Sequence, residues 1–169
     1  MKQNAPQGPS WSRWLILSAV VVVLDQITKF WVVSVLEQGE RVAVFPVFSW
    51  VRWHNEGAAF SMLSDGSGWQ RWFFVCLAIA FTVFIILELR QLAARDRYMG
   101  VVYGLVLGGA LGNMVDRLVQ GHVVDFILVH YQQWYFPAFN VADIALSCGA
   151  TLWILAMVCS YLRERRAAT

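Results

Sequence analysis

The chain has 169 residues, 59% of them hydrophobic and 14% charged, with a formal net charge of +2. That is the length of one domain, with far less charge than the roughly 25% of soluble proteins. The small net charge, with no basic run interleaved with aromatics, excludes nucleic acid as a partner. Nine Trp and eleven Phe instead suit a chain whose aromatics gather at a bilayer surface.

In chain order, residues 1–10, with Pro6, Gly8 and Pro9, read as a flexible tail. Four segments then reach the roughly 20 apolar residues that a spanning helix needs. They are about Trp14–Leu36, Trp72–Leu89, Met99–Val119 and Val141–Leu162. The first has Lys2 and Arg13 before its apolar core, as a secretory signal would. No small-x-small cleavage pattern follows, only Asp25-Gln26-Ile27-Thr28-Lys29, so it reads as an uncleaved span. Asp25 and Lys29 lie one turn apart in the favourable order for an intrahelical ion pair.

The first connection, 37–71, reads as short strands over Val42–Trp53, with Pro46 at an edge or bulge and Asn55-Glu56-Gly57 as a turn. The loop that continues through Ala58-Ala59-Phe60-Ser61 has small residues that would admit an extended peptide, and Asn55 to hydrogen-bond it. The third span carries Gly100, Gly104, Gly108 and Gly112 at four-residue spacing, with Gly109 beside them. This is small-xxx-small repeated on one helix face, where another helix can approach closely. Asp116 continues the series, with Asn113 and Arg117 alongside. Asp116 and Arg117 read as a local charge pair, or Arg117 as a donor to a bound peptide or an active-site group.

The second connection, 120–140, is apolar and aromatic and would lie in the interface. It contains Asp125, between Val124 and Phe126, neighbours that make poor turns. Asn140 and Asp143 open the last span with the spacing of a capping box. That spacing accounts for Asp143 without chemistry, but not for Asp125. An ionisable group near a bilayer points to function. Two carboxylates on one side of the membrane suggest acid–base work in which one keeps a proton.

The side follows from charge. With both termini inside, the inner side holds Lys2, Arg13, Arg90, Arg95, Arg97, Arg163, Arg165 and Arg166, eight of the thirteen Lys and Arg. The positive-inside rule thus places both termini in the cytoplasm and the two long connections outside. Cys76, Cys148 and Cys159 are odd in number and lie in apolar segments, as small packing residues would. The three histidines show no ligand spacing, so neither a metal nor another cofactor is expected.

Three chemistries compete. A Ser–Lys dyad would use Lys29 with Ser34 or Ser61, but Lys29 has Asp25 as a partner and no Ser stands in a distinctive pattern. A small transporter or proton-relay protein would use Asp25, Asp116, Asp125 and Asp143. Four spans without an internal repeat are few for it, and its carboxylates should be spread through the membrane depth. A hydrolase with a two-Asp site fits their gathering near one face.

Five stretches in order resemble the sequence boxes of the lipoprotein signal peptidase (signal peptidase II) family. They are Asp25–Lys29, Asn55–Phe60, Gly108–Arg117, Val123–Phe126 and Phe139–Asp143. The resemblance covers essentially the whole chain. It implies a single membrane-embedded domain over 1–169, mainly α, with four transmembrane helices and a small periplasmic β-sheet. It also implies an aspartic endopeptidase of the bacterial inner membrane, active near the periplasmic face. Such an enzyme cleaves diacylglyceryl-modified prolipoproteins just before the lipidated cysteine, and globomycin blocks it. By resemblance Asp125 and Asp143 are the catalytic dyad, and Asp25, Asn55, Asn113, Arg117 and Asn140 support it and the substrate. The partners expected are prolipoprotein and membrane lipid, and the chain is expected to act as a monomer.

Overall fold

The computed structural model describes residues 11–57, 68–92 and 96–167. The tail expected over 1–10 and the loop through Ala58–Ser61 lie outside the described residues. Four helices are long and apolar enough to cross a membrane: α1 (Arg13–Val35), α2 (Trp69–Gln91), α3 (Arg97–Gln120) and α4 (Val141–Ala167). Each contains its predicted apolar run to within a residue. Where it extends further, a polar terminal turn continues the helix beyond the lipid-matched length, as Arg163–Arg166 do in α4. The stops are local. Gly121 closes α3 in the left-handed region at φ +86°, and the Asp96 side chain caps its start by accepting from Met99 N–H.

Helix α3 is the central post. Half of its most apolar window is buried, against 17% for α2 and for α4. Its glycine face meets α1. A Cβ on Gly104 would lie 3.1 Å from the Trp14 carbonyl oxygen, and one on Gly108 would lie 2.9 Å from that of Ser18. The Ser18 hydroxyl uses this closeness to donate to the Gly104 carbonyl at 2.9 Å. Gly109 turns the other way, toward Ala142 and Leu146 of α4, and Gly149 of α4 returns the contact at Val106. Lipid tails are as apolar as the helices, so close backbone approach must hold the bundle where water would otherwise drive it together. Helix α2 packs on α3 through Ile85, Leu89, Val102, Tyr103 and Val106. It meets α4 through the stacked rings of Phe84 and Trp153, 6.3 Å apart.

The connections form one antiparallel sheet in the order β1 (Arg41–Phe45), β2 (Phe48–Asn55), β3 (Val123–Tyr131), β4 (Trp134–Tyr135). Pro46 sits in the tight turn between β1 and β2, where its missing N–H leaves no ladder bond unmade. The sheet is larger than the Val42–Trp53 pattern suggested, because the second connection supplies half of its strands. The first residues of β3, Val123–Phe126, are buried on both faces. They therefore lack the alternation that marks a one-sided strand. The three cysteines do not pack inside. All are free and exposed, and Cys148 borders the cavity between the helices.

Candidate active site

Backbone pairing assembles the site. Trp53 stands opposite Asp125, and Asn55 opposite Val123, in the β2–β3 ladder. On the other side of β3, Phe139 bridges to Ile127, and its carbonyl accepts from the Phe126 and Ile127 N–H groups. That bridge delivers the next residue, Asn140, beside Asp125 and starts α4 three residues before Asp143. The box spacing is realised as a reciprocal cap. Asp143 N–H donates to Asn140 Oδ1 at 3.0 Å, and Asn140 N–H donates to Asp143 Oδ2 at 3.2 Å. The capping reading of Asn140 and Asp143 and the site reading hold together.

Three asparagine amides aim at the two carboxylates, and each is oriented by a donor on its oxygen. Asn55 Oδ1 accepts from Gly57 N–H at 3.1 Å, which turns its Nδ2 onto Asp125 Oδ2 at 2.9 Å. Asn140 Oδ1 is taken by the cap, so its Nδ2 faces Asp125 Oδ1 at 2.8 Å. Asn113 Oδ1 accepts from Lys29 Nζ at 3.0 Å, and its Nδ2 donates to Asp143 Oδ1 at 2.8 Å. Asn140 Nδ2 also approaches Asn113 Oδ1 at 3.3 Å, which joins the two halves. Both oxygens of each aspartate thus have a donor. Asn55, expected as a donor to peptide, is engaged inside the protein.

The electrostatics of Asp125 oppose these bonds. Burial is the largest effect and pushes its carboxyl up, and the neighbouring Asp143 charge pushes the same way. The Asn55 and Asn140 amides pull down, leaving it at about 7. A carboxyl poised there can hold a proton or release it near neutrality.

Arg117 donates to the Gly57 carbonyl at 2.8 Å, and its guanidinium lies 4.6 Å over the Phe74 ring. The local pair expected of Asp116 with Arg117 gives way to a longer-range one. Asp116 meets Lys29 at 2.8 Å, and Lys29 also makes the expected bond to Asp25 at 2.8 Å. Asp25 belongs to the expected supporting set; Lys29, Asp116 and Gln26, which donates to Asp116 Oδ1 at 2.8 Å, go beyond it. The pattern held a clue. The glycine series places Asp116 on the face that meets α1, and Lys29 is the cation in the outer half of α1. A second pair of rings, His54 and His122, stacks at 3.7 Å beside Asn55. Burial pushes both imidazoles below their ordinary value.

Beside this cluster lies a cavity of about 820 Å³. Asn55, Gly57, Asn113, Arg117 and Asp143 line its polar end, and Phe74, Leu77, Phe81, Val106, Met114, Leu146 and Cys148 are among its apolar walls. Asp143 lines it, and Asp125 is reached from it through its hydrogen bond to the lining Asn55. From Arg117 to Val106 the cavity follows α3 for roughly 16 Å at 1.5 Å per residue. Its walls come from α2, α3 and α4. No group of three or more His, Cys, Asp or Glu able to hold a metal occurs among the described residues. An apolar trough with a carboxylate at its head suits hydrolysis of an amphipathic chain.

Known proteins share this plan. Residues 17–159 match the family model described as Signal peptidase (SPase) II. A lipoprotein signal peptidase of Pseudomonas fluorescens is 49% identical over 146 residues, which are 85% of this chain and 86% of the relative. One from Ectopseudomonas mendocina is 46% identical over 92% of this chain and 93% of its own. Two solved bacterial membrane enzymes, determined by the in meso method, superpose with TM-scores of 0.80 and 0.74 at 31% identity. They cover 89% and 86% of this chain, and 90% and 92% of their own. A four-helix membrane bundle with a small sheet, joined by sequence likeness along most of its length, places the chain in the signal peptidase II family of peptidases.

Proposed function

We propose that the protein is an aspartic endopeptidase that removes the signal peptide from diacylglyceryl-modified prolipoproteins, cutting just before the lipidated cysteine. The observation that carries this reading is the meeting of Asp125 and Asp143, delivered by different elements and joined through Asn140 and Asn113, with Asp143 at the head of an apolar cavity. The relatives named lipoprotein signal peptidase support the substrate.

The reaction follows from one proton shared by two carboxyls, since both cannot ionise cheaply side by side. The ionised carboxylate takes a proton from water as the water oxygen attacks the scissile carbonyl carbon. The protonated carboxyl gives its hydrogen to the developing oxyanion, and a tetrahedral diol forms. The first carboxyl then protonates the amide nitrogen, the C–N bond breaks, and the amine of the lipidated cysteine leaves. The diol returns its proton to the second carboxylate, which restores the pair. No covalent enzyme intermediate and no cofactor enter. Arg117, beside the Gly57 carbonyl, orients the backbone of the bound peptide.

The cavity walls receive the substrate from the bilayer, with acyl chains or signal helix along α3 and the cysteine at the polar end. The sheet stands on the periplasmic side of the inner membrane, with both termini in the cytoplasm, in keeping with the positive-inside count. The exposed Trp53, Trp134, Tyr135 and Phe136 clasp the substrate at the membrane surface. Globomycin occupies the same cavity as a competitor, and one chain holds a complete site.

Cleavage of a prolipoprotein with and without prior diacylglyceryl modification tests the reading. Cleavage confined to the modified form, blocked by globomycin and indifferent to chelators, is expected. Equal cleavage of both forms, or proton flux in liposomes without proteolysis, would overturn it.

A further inference from the structure

The residue before each proposed catalytic aspartate is held by a buried carboxylate. Ala142 N–H, preceding Asp143, donates to Asp25 Oδ1 at 2.9 Å. Val124 N–H, preceding Asp125, donates to Asp116 Oδ2 at 3.2 Å. Asp25 and Asp116 lie on different helices, and both bind Lys29 Nζ at 2.8 Å. The third bond of that ammonium runs to Asn113 Oδ1 at 3.0 Å.

An ammonium has three donors and no acceptor. All three are committed here, so Lys29 has none left for proton transfer. Because it can only donate, it forces Asn113 to present its oxygen and turns the Nδ2 onto Asp143. The other possible orientation of that amide would set a carbonyl oxygen against the Asp143 carboxylate. Lys29, Asp25 and Asp116 are each 2% exposed or less, so water cannot substitute for these bonds.

We propose that Lys29 is a positioning residue for the reaction. From the sealed side of the bundle it aligns the start of α4 through Asp25, the start of β3 through Asp116, and the Asp143 carboxylate through Asn113. The role rests on the dyad reading of Asp125 and Asp143. It carries an electrostatic consequence as well. Asp125 feels the Asp143 charge, which favours its protonated form, and the Lys29 charge, which favours ionisation. Removing the cation makes the pair harder to ionise.

The test compares wild type, Lys29→Gln, Lys29→Arg and Asp125→Asn in the same membranes on lipid-modified prolipoprotein, across about pH 5 to 9. Gln keeps a donor and loses the charge. In Lys29→Gln, kcat per folded molecule falls by about 100-fold, the effect of small misplacement. KM stays within a few fold, and the acid limb of the pH profile moves to higher pH. Lys29→Arg keeps the charge, leaves that limb where it is and regains part of kcat.

Losing one cation between two buried acids is costly to folding. Lys29→Gln with Asp116→Asn removes one of those acids and serves where the single variant does not fold. It is expected to fold and to retain the low kcat, while its acid limb returns toward the wild-type position, because one charge of each sign has been removed. Folded variants with wild-type kcat and profile would overturn the proposal. So would losses that vanish on normalising to folded protein, or failure of both variants to fold, since Lys29 would then serve folding alone. If wild type does not cleave prolipoprotein, the functional reading falls. If Asp125→Asn is inactive while Lys29→Gln is unaffected, only the role of Lys29 falls.

Discussion

The two sides of α3 are built on opposite plans. Toward α1 the helices meet at backbone distance at Gly104 and Gly108, Gly112 packs on the Asp25 side chain, and the few charges between them are fully engaged. Toward α2 and α4 a trough of about 820 Å³ stands open, walled by Phe, Leu and Met. The closed side has no room to admit anything, whereas the other side leaves a trough beside the close α3–α4 contact at Gly109 and Gly149. The candidate aspartates sit where the two plans meet, fixed from behind, with Asp143 reached from the front.

The largest effect that would break this contrast falls at the meeting point. Asp125→Asn and Asp143→Asn should each lower prolipoprotein cleavage by about a thousandfold or more. Both proteins should stay folded and inserted, as measured by gel-shift cleavage and by thermal unfolding in detergent. Retention of strong activity in either would remove that residue from the chemistry.

On the closed side, Gly108→Ala places a Cβ 2.7 Å from the Val21 Cβ and 2.9 Å from the Ser18 carbonyl, neither of which is a flexible tip. Separating α1 from α3 should cost about 1–3 kcal/mol. A lowered Tm with activity falling in step is expected, and an unchanged Tm would show that this interface has slack. On the open side, Ser147→Phe extends a ring from the cavity wall. It should raise KM roughly tenfold, as a misfit in an apolar pocket does, with Tm unchanged. Equal losses of Tm and kcat would mean that the trough is a packed core.

The smallest effect sharpens the electrostatics. Asp125 rises from 3.8 to about 7 on folding, so the folded protein binds the extra proton throughout that window. Stability from this group therefore falls as pH rises from about 4 to about 7. Asn cannot ionise, so the Tm of Asp125→Asn relative to wild type should climb across the same window. A difference independent of pH would place the carboxyl of Asp125 near its ordinary value.

Much of this was legible in the chain. The four apolar runs marked the helices because lipid imposes a length that composition alone can meet. The glycine series marked a close helix contact, and Asn140–Asp143 marked a cap. Strand β3 was hidden, because Val123–Phe126 is buried on both faces and shows no alternation. The bond of Asp116 to Lys29 was obscured by the nearer cation at Arg117, since sequence distance does not reveal which way side chains turn around a helix. The cysteines misled for a related reason. In a membrane an exposed face is also apolar, so an apolar neighbourhood does not distinguish inside from outside.

The cap that opens α4 has a consequence for how the enzyme comes into being. The same two residues that start the last helix also supply Asp143 and the amide that grips Asp125. A ribosome that has delivered α1 to β4 has made most of the scaffold, but only one of the two acids. On the dyad reading, the pair is completed when α4 enters the bilayer and winds its first turn. On that reading, nascent chains are inert toward neighbouring membrane proteins until α4 has been made.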